Sequence, residues 1–378
     1  MRVSVIGQGY VGTTLGVAAK GAGHDVVGIE TNSLRLASLP VPYKVSSSYE
    51  DVAGSEVVII AVPTPLNALR EPDLSFLLAA CDSLKGVLNS PTLILNESTS
   101  FPGTLRNIIA LSLGSTHLYA VAPERIDPGN KTWAIENTPR LIAGLSNEAT
   151  AKALGFYRSF CKEVIVVSSP EVAEAAKLFE NTFRQVNIAL VNEFAKVAEA
   201  LGIGAIETLQ AAASKPYGIM TFMPSIGVGG HCIPIDPSYL SFAAGQAGLE
   251  TSFIKLANEV NASMPGYIVE RISKSLGGNL AGKTIQIAGI SYKSDVSDTR
   301  ESPALALITK LRELGAGVSW HDHLVGICDG ETSTELQAVD LGIIATAHSG
   351  VDYSVWKNSG TKVLDLSTAP TSEWPKFL

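Results

Sequence analysis

The sequence predicts an α/β protein built from two Rossmann-like, doubly wound domains that are joined by a long central helix. Three observations lead to this fold class. Short apolar strands alternate with helical stretches up to residue 144, the alternation returns after residue 283, and a long helical pattern separates the two series. The chain has 378 residues, of which 46% are hydrophobic and 17% charged, so it is long enough for two or three domains with buried cores.

The first strand–helix series starts with a strand at residues 2–6, a glycine loop and a helix at about residues 11–21. Later strands are short apolar runs that end in polar turns, and they are predicted at 24–30, 57–62, 92–95, 119–122 and 140–144. Strands that alternate with helices pair side by side in the same direction. The series therefore predicts a parallel, doubly wound sheet, in a first domain of residues 1–170.

A helical pattern follows the first series. Apolar residues recur at three- and four-residue steps from Glu171 to about Ala213, and no proline interrupts them. This predicts one long helix, which would join two domains or two subunits. Further helical sequence runs to about Leu276, so we expect a central domain of residues 171–280.

The second strand–helix series starts at Lys283 and predicts a smaller Rossmann-like domain of residues 281–378. A polar loop at 291–302 separates its first strand from a helix at 303–314. The predicted strands of this domain are 284–289, 317–321, 341–345 and 362–366.

The overall charge and the cysteine content argue against several classes of protein. A net charge of −8 is an argument against a nucleic acid or an anionic membrane as partner, and the apolar run at 57–62 is too short to span a bilayer. The four cysteines have no metal-ligand spacing with histidine, so no metal site is expected. We expect a cytoplasmic protein, because few cysteines suit a reducing compartment and no signal-peptide cleavage site follows the N-terminal apolar stretch.

The glycine loop after the first strand reads Gly7-Gln8-Gly9-Tyr10-Val11-Gly12. Gly7 permits a tight turn, Gly9 lets a pyrophosphate approach the backbone, and Gly12 lets the helix pack closely on the strand. The start of the helix adds free N–H groups and a favourable dipole. The loop favours dinucleotide binding, and the alternative is a glycine-rich turn without a ligand.

An acidic residue ends the second strand. Glu30 lies eighteen positions after Gly12, where a carboxylate can accept hydrogen bonds from the adenosine ribose hydroxyls. No arginine follows Glu30 until Arg35. This pattern favours NAD over NADP as the cofactor.

A cysteine lies in a second glycine-rich loop. Cys232 follows Gly229 and Gly230 and precedes Asp236. A single cysteine is more often a small buried hydrophobic residue than a nucleophile, and His231 beside it is more often a packing residue than a base. The loop by itself leaves a catalytic role open.

Seven motifs follow one another along residues 1 to about 325. They are residues 7–12, Ala61-Val62-Pro63-Thr64-Pro65, Glu97-Ser98-Thr99, Ala122-Pro123-Glu124-Arg125, Lys177-Leu178-Phe179-Glu180-Asn181, residues 229–232 with Asp236, and Lys293 through residues 298–302. In order and approximate spacing they resemble the UDP-glucose/GDP-mannose dehydrogenase family. The resemblance implies a nucleotide-sugar 6-dehydrogenase that oxidises a C6 alcohol to a carboxylate with two NAD in succession. It implies that the Cys232 thiolate captures the aldehyde as a thiohemiacetal, which is oxidised to a thioester and hydrolysed.

The resemblance also implies a role for each motif residue. Besides Cys232, the catalytic residues are Lys177 for the oxyanion, Asn181 for the same oxygen or a water, Asp236 as water orienter or base, Glu124 as general acid/base and Thr99 as a contact to water or nicotinamide. Asp236 has helix capping as its alternative, because Asp-Pro often opens a helix. Glu97 is a weaker candidate and is interpreted as a structural acid.

Binding residues are implied in the same way. Those for the cofactor are Gly7, Gly9, Tyr10, Val11, Gly12, Glu30, Pro63, Thr64, Thr99 and Arg300. Those for the nucleotide sugar are Glu124, Arg125, Lys177, Asn181, Gly229 and Lys293. For Lys293 and Arg300 the alternative is a surface cation in a polar loop. The central helix is expected to form a homodimer, with a core helix within one chain as the alternative.

Two departures from the family pattern concern binding. The family usually has Asp where this chain has Glu30, and its Asp-Pro after a strand of the second domain is Asp322-His323 here. The substrate therefore stays open between UDP-glucose, a UDP-N-acetylhexosamine and dTDP-glucose, with a UDP-hexose ahead and GDP-mannose last. Two alternatives to the double oxidation remain, a dehydrogenase that stops at the aldehyde and a non-catalytic protein that binds NAD or a nucleotide sugar.

Overall fold

The computed structural model describes residues 1–127, 129–130, 132–368, 374 and 376–378. The chain forms two compact units. The first unit comprises residues 1–180 and 238–250, and the second comprises residues 181–237 and 251–378. Among the described helices, none is long and apolar enough to cross a membrane.

The first unit contains an eight-stranded sheet in the order β3-β2-β1-β4-β5-β6-β7-β8. Its strands are Arg2–Ile6 (β1), Asp25–Ile29 (β2), Lys44–Ser46 (β3), Val57–Ile60 (β4), Leu93–Asn96 (β5), Leu118–Val121 (β6), Arg140–Gly144 (β7) and Val164–Val166 (β8). Every residue of β4 and β5 is buried. Such continuous burial is typical of a sheet covered by helices on both faces, and it confirms the predicted α/β class.

One strand pair differs from the predicted parallel sheet. The strands β6 and β7 pair in antiparallel fashion, with Ala120 opposite Gly144, whereas the other neighbours in the sheet are parallel. A parallel pair needs a crossover, usually a helix, between its strands. The described residues of the connection at 122–139 form no helix, so the prediction of a parallel direction was wrong here.

Short helices cover the sheet of the first unit. They are Tyr10–Gly21 (α1), Ser33–Leu36 (α2), Ser75–Lys85 (α3), Ala110–Leu113 (α4) and Asn147–Tyr157 (α5), together with a 3-10 turn at Tyr49–Val52 and a π-helical turn at Leu105–Ile109. The helix α1 packs on β1 through Leu15, which is fully buried. Ile6 at the end of β1 pairs with Ile60 at the end of β4, so both C-terminal ends lie beside the glycine loop that leads into α1.

The central helical region is two helices and not the single helix predicted to residue 213. The first, α6, spans Pro170–Leu201, and the second, α7, spans Ala205–Ala213. Gly202 has φ of +69° and Gly204 is the N-cap of α7. A glycine in the left-handed region is a common helix terminator, so the break comes from glycine and not from proline.

The second unit contains a four-stranded parallel sheet in the order β10-β9-β13-β14. The helices of this part of the chain are Asp236–Gln246 (α8, of which residues 238–246 belong to the first unit), Ser252–Ser275 (α9), Pro303–Glu313 (α10) and Ser354–Ser359 (α11). The strands are Thr284–Ala288 (β9), Gly317–His321 (β10), Ile327–Cys328 (β11), Glu331–Thr332 (β12), Leu341–Ile344 (β13) and Lys362–Asp365 (β14), with β11 and β12 as a separate antiparallel pair. The four-stranded sheet and helix α10, which buries one apolar face in the core of this unit, confirm the second Rossmann-like fold predicted from the sequence.

Candidate active site

The glycine loop of the first unit has the geometry of a dinucleotide-binding turn. Gly7 has φ of +88°, and a Cβ there would lie 2.4 Å from the carbonyl oxygen of Ala61. A Cβ at Gly12 would lie 1.9 Å from the carbonyl oxygen of Gly7, so both positions require glycine. At Gly9, the N-cap of α1, no atom of the described residues comes within 4 Å of an added Cβ. The loop is therefore tight on its protein side and open where a pyrophosphate would approach the backbone, which fits NAD.

The acid after β2 lies beside this loop. Glu30 Oε1 accepts a hydrogen bond from the Asn32 amide at 2.9 Å, and Glu30 Oε2 accepts one from the Gln8 amide at 3.3 Å. The guanidinium of Arg35 approaches the same carboxylate, with Nε 4.0 Å from Oε2. The carboxylate is thus fixed at the sheet edge where an adenosine ribose binds in this fold.

Four further residues predicted to bind the cofactor lie in the glycine loop or just after β4. Tyr10 is exposed and Val11 half-buried at the start of α1. Thr64 is buried after β4, and its carbonyl oxygen accepts a hydrogen bond from the Tyr239 hydroxyl at 3.0 Å. Pro63 before it is exposed. Burial, and then the charges of Glu124 and Asp127, raise the pKa of the Tyr10 phenol.

A buried ion network lies at the ends of β5, β6 and β7. Arg140 Nη1 donates to both oxygens of Glu97 at 2.8 and 2.7 Å, and Arg140 Nη2 donates to Glu124 Oε2 at 2.9 Å. Tyr157 donates its hydroxyl to Glu97. All four side chains are buried. Two carboxylates therefore share one guanidinium in a site from which water is excluded.

The two carboxylates differ in their acidity. Burial raises the pKa of Glu97 to about 7, against the opposing effect of Arg140. Burial also acts on Glu124, but Arg140 and the Ile126 amide outweigh it and hold its pKa below the usual range. Glu124 Oε1 accepts the amides of Arg125 and Ile126 at 2.6 and 2.7 Å. Glu124 is therefore ionised at neutral pH, which suits a base better than an acid.

Lys177 and Thr99 meet within the first unit. Lys177 is buried on α6, and its Nζ donates to Thr99 Oγ1 at 2.7 Å.

Arg125 also contacts α6, because its Nη2 lies 2.6 Å from Glu180 Oε1. Its Nη1 donates to the carbonyl oxygen of Pro139 at 2.7 Å. The guanidinium of Arg125 is thus held by protein groups, and a substrate role would have to compete with them.

In the second unit, Cys232, Asp236 and Asn181 come together. Cys232 is exposed, and its carbonyl oxygen accepts the Asp236 amide at 2.8 Å. Asp236 is the first residue of α8, one position after the place of a helix cap, and it is buried. Its Oδ2 also accepts a hydrogen bond from Asn181 Nδ2 at 2.6 Å. The structure thus fixes a carboxylate and an amide to each other, four residues after an exposed cysteine.

The 291–302 loop supports the cysteine loop. Gly230 has φ of +89°, and its amide donates to the carbonyl oxygen of Arg300 at 2.9 Å. An added Cβ at Gly229 would lie 2.8 Å from the Tyr292 Cβ, and one at Gly230 would lie 2.8 Å from the Tyr292 ring. Both glycines are therefore needed for the close approach of the two loops. The same loop carries Lys293, which is half-buried.

Arg300 makes an ion pair inside this loop. Its Nε donates to both oxygens of Asp298 at 2.9 and 3.0 Å, and its Nη2 lies 2.5 Å from Asp298 Oδ2. The hydrogen bond to Asp298 raises the pKa of the guanidinium. The side chain is still 60% exposed. A second anion, such as a phosphate, could therefore bind the same guanidinium.

Sequence reasoning missed two buried polar clusters. The first centres on Arg140, whose signal was a charged residue at the start of an otherwise apolar strand. The second joins Ser291, Asp322 and His348, which follow the C-terminal ends of the strands β9, β10 and β13. Ser291 Oγ donates to Asp322 Oδ2 at 2.9 Å, and His348 Nε2 lies 3.1 Å from the same oxygen. This second cluster fixes the start of the 291–302 loop.

Three family models match the chain, in order. Residues 41–161 match the NAD binding domain of the UDP-glucose/GDP-mannose dehydrogenase family, residues 171–263 its central domain, and residues 286–368 its UDP binding domain.

Individual relatives agree with these matches along nearly the whole chain. The UDP-N-acetyl-D-mannosamine dehydrogenase of Pyrococcus horikoshii is 33% identical over 95% of this chain and 92% of its own length. The UDP-N-acetyl-D-glucosamine 6-dehydrogenase of Pseudomonas aeruginosa is 31% identical over 92% of this chain and 91% of its own length. The solved structure of the Pyrococcus horikoshii UDP-D-ManNAc dehydrogenase covers 99% of this chain and 97% of its own, with a TM-score of 0.87 and 31% identity.

Proposed function

The chain belongs to the UDP-glucose/GDP-mannose dehydrogenase family and is an NAD-dependent nucleotide-sugar dehydrogenase, and from this premise we propose that it oxidises the C6 alcohol of a UDP-N-acetylhexosamine to the carboxylate. The observation that carries the proposal is the exposed Cys232, whose carbonyl oxygen accepts the amide of the buried Asp236, which in turn binds the half-buried Asn181. A thiol in this setting is what a double oxidation needs, because the aldehyde must be held between its two steps.

The proposed reaction has two oxidations separated by a covalent step. When bound, NAD supplies the hydride acceptor for each oxidation. The Cys232 thiolate adds to the aldehyde carbon and a C–S bond forms. The π electron pair of the carbonyl group moves to the oxygen, which takes up a proton and becomes a hydroxyl. The resulting thiohemiacetal still has a hydrogen on C6, which leaves as the second hydride while the hydroxyl proton is lost. Water then attacks the thioester, the C–S bond breaks, and the carboxylate and the free thiol are released.

Residues of the chain are proposed to stabilise the charges that develop. The Lys177 ammonium, positioned by Thr99 Oγ1 at 2.7 Å, would stabilise the oxyanion of each tetrahedral species. Asn181 would donate to the same oxygen or to an ordered water. Asp236 would orient the hydrolytic water, because its carboxylate is already fixed by Asn181. Glu124, which Arg140 keeps ionised, would accept a proton from that water.

The substrate is proposed from the relatives. The two nearly full-length relatives described above carry names that specify UDP-N-acetylhexosamines. Gly229, Lys293 and Arg125 are proposed to bind the nucleotide sugar, and Arg300 a cofactor phosphate, because guanidinium and ammonium groups suit phosphate oxygens. UDP-glucose and dTDP-glucose are the competing substrates.

A panel of nucleotide sugars tests this proposal. The full-length protein is incubated with NAD and, one at a time, UDP-N-acetylmannosamine, UDP-N-acetylglucosamine, UDP-glucose and dTDP-glucose, and NADH and uronic acid are both measured. We expect the highest kcat/KM with a UDP-N-acetylhexosamine and two NADH per sugar consumed. One NADH per sugar would show a dehydrogenase that stops at the aldehyde and would contradict the double oxidation. No NADH from any sugar would refute an enzymatic role. Cys232→Ala should form no uronic acid, whereas Cys328→Ala, at a half-buried cysteine of the same unit, should behave as the wild type.

The exposed face of α6 supports a proposal that two copies of the chain associate. Six apolar side chains, spaced so that they share one helix face, are exposed there: Val172, Phe179, Phe183, Leu190, Val197 and Leu201. An apolar stripe of this length is typical of a helix that packs against another. We expect a dimer in sedimentation equilibrium and a monomer after Leu190→Glu, and a wild-type monomer at micromolar concentration would contradict the proposal.

A further inference from the structure

Two side chains of opposite charge meet on one peptide of the glycine loop. Glu30 Oε2 accepts the Gln8 amide at 3.3 Å, and Arg35 Nη1 donates to the Gln8 carbonyl oxygen at 3.4 Å. Their head groups approach each other, with Arg35 Nε 4.0 Å from Glu30 Oε2. The loop residue that precedes the pyrophosphate-binding Gly9 is therefore flanked by a carboxylate on one side and a guanidinium on the other.

The carboxylate is fixed, whereas the guanidinium remains accessible. Glu30 has only 12% of its side chain exposed, and a second amide, that of Asn32, donates to its other oxygen at 2.9 Å. Arg35 has 52% of its side chain exposed. It also lines an open cavity of about 630 Å³, together with Gly9, Tyr10 and other residues of the first unit.

The backbone holds Arg35 at this place. Asn32 caps the short helix α2, and its Oδ1 accepts the amides of Leu34 and Arg35 at 3.0 and 3.1 Å. The backbone of Arg35 is thus held by the Asn32 cap, and Glu30 supports that cap by accepting the Asn32 amide at 2.9 Å, a hydrogen bond that the side-chain oxygen introduced by Glu30→Gln can still accept. Removal of the Glu30 charge should leave the arginine in place.

The two groups select opposite cofactors. A carboxylate at the end of β2 accepts hydrogen bonds from the ribose hydroxyls of NAD and repels a 2′-phosphate, whereas an arginine near the same ribose binds that phosphate. We propose that Arg35 forms a latent site for a 2′-phosphorylated adenine nucleotide, which the fixed carboxylate of Glu30 masks. The preference for NAD over NADP then depends on the negative charge of Glu30 beside the guanidinium of Arg35. This inference concerns the cofactor half alone and is independent of the sugar substrate.

Binding measurements on the full chain without sugar test the inference. Dissociation constants for NAD, NADP and 2′,5′-ADP are measured by titration calorimetry at low salt for the wild type, Glu30→Gln, and Glu30→Gln combined with Arg35→Ala. A charge-assisted hydrogen bond to phosphate predicts that Glu30→Gln raises the affinity for NADP relative to NAD about tenfold or more, and that the second substitution removes this gain. The matched control combines Glu30→Gln with Arg158→Ala, an exposed arginine at the end of α5, and should keep the gain.

Two outcomes overturn the inference. One is an NADP preference that does not change in Glu30→Gln, and the other is a gain that persists after Arg35→Ala. Thermal unfolding of every variant shows whether it is folded, and Glu30→Ser provides a shorter neutral side chain if Glu30→Gln is unfolded. Failure of the proposed sugar oxidation would leave these binding constants unaffected, so the two proposals fail separately.

Discussion

Replacement of Arg140 by methionine removes the cation that lies between two buried carboxylates. Arg140 is 4% exposed, and its guanidinium makes three short hydrogen bonds, two to Glu97 and one to Glu124. Removal of one partner of a buried ion pair costs about 3–5 kcal/mol, because the remaining charge is left without compensation. Two carboxylates lose their partner here, so we expect the free energy of unfolding to fall by at least about 4 kcal/mol near pH 8.

The loss should depend on pH with a definite sign. The folded-state pKa of Glu97 is already raised to about 7 by burial, and loss of Arg140 removes the cation that opposes this effect. A carboxyl with a raised pKa binds more protons in the folded state than in the unfolded state, so stability falls as the pH rises through that pKa. The destabilisation of Arg140→Met should therefore be smaller near pH 6 than near pH 8.

Urea unfolding near pH 6 and near pH 8 measures the effect, with Arg106→Met as the matched control. Arg106 pairs with Glu171 at 2.8 Å at the surface, where its side chain is half exposed, so this control should lose no more than about 1 kcal/mol. Arg140→Lys keeps a charge but cannot bond both carboxylates, and it should fall between the two. A loss from Arg140→Met as small as that from Arg106→Met, or one that does not change with pH, would refute the reasoning.

Three further predictions concern the loop glycines, the hydrolytic step and a second buried acid. Gly12→Ala should lower the melting temperature and abolish NAD binding, because its Cβ would lie 1.9 Å from a loop carbonyl oxygen. Gly9→Ala should melt like the wild type and only weaken NAD binding. Equal melting temperatures for the two variants would contradict the packing argument. Asp236→Asn removes the carboxylate that Asn181 holds at 2.6 Å and should slow the hydrolysis of the thioester but not the oxidations before it. NADH should therefore appear in a rapid burst followed by slow turnover. Stopped-flow kinetics without a burst would contradict a role of Asp236 in hydrolysis. Burial raises the pKa of Glu174 to about 7, so the folded state binds this proton more tightly than the unfolded state. The free energy of unfolding of the wild type should therefore fall by up to about 3 kcal/mol between about pH 5 and about pH 8. Urea unfolding of Glu174→Gln should show a smaller fall.

Local patterns predicted most of the fold. The strands β1, β4 and β7 were found within two residues of their predicted ends, because each is a short apolar run closed by a turn. The break after α6 was missed because only proline was considered, although Gly202 supplies the left-handed residue that ends the helix. The direction of β7 could not be predicted, since it depends on a connection without periodicity.

The candidate site was predictable only in part. Motif residues such as Cys232 and Asp236 lie four positions apart, so the sequence alone placed them together. The partners of Glu124 were not predictable, because Arg140 reaches it through the packing of neighbouring strands. In the same way, the contact of Gly230 with Tyr292 joins loops that are far apart in the sequence. Interactions of this kind depend on the tertiary fold and have no local signal.

The most direct test of the double oxidation is the covalent adduct on Cys232. The protein is mixed with NAD and the best nucleotide sugar, quenched in acid within one turnover, and analysed by intact-protein and peptide mass spectrometry, with Asp236→Asn used to slow hydrolysis. The account predicts a thioester of the sugar acid on the peptide that contains Cys232, and no such adduct in Cys232→Ala. Uronic acid formed at the normal rate by Cys232→Ala, or an adduct on a different cysteine, would contradict it.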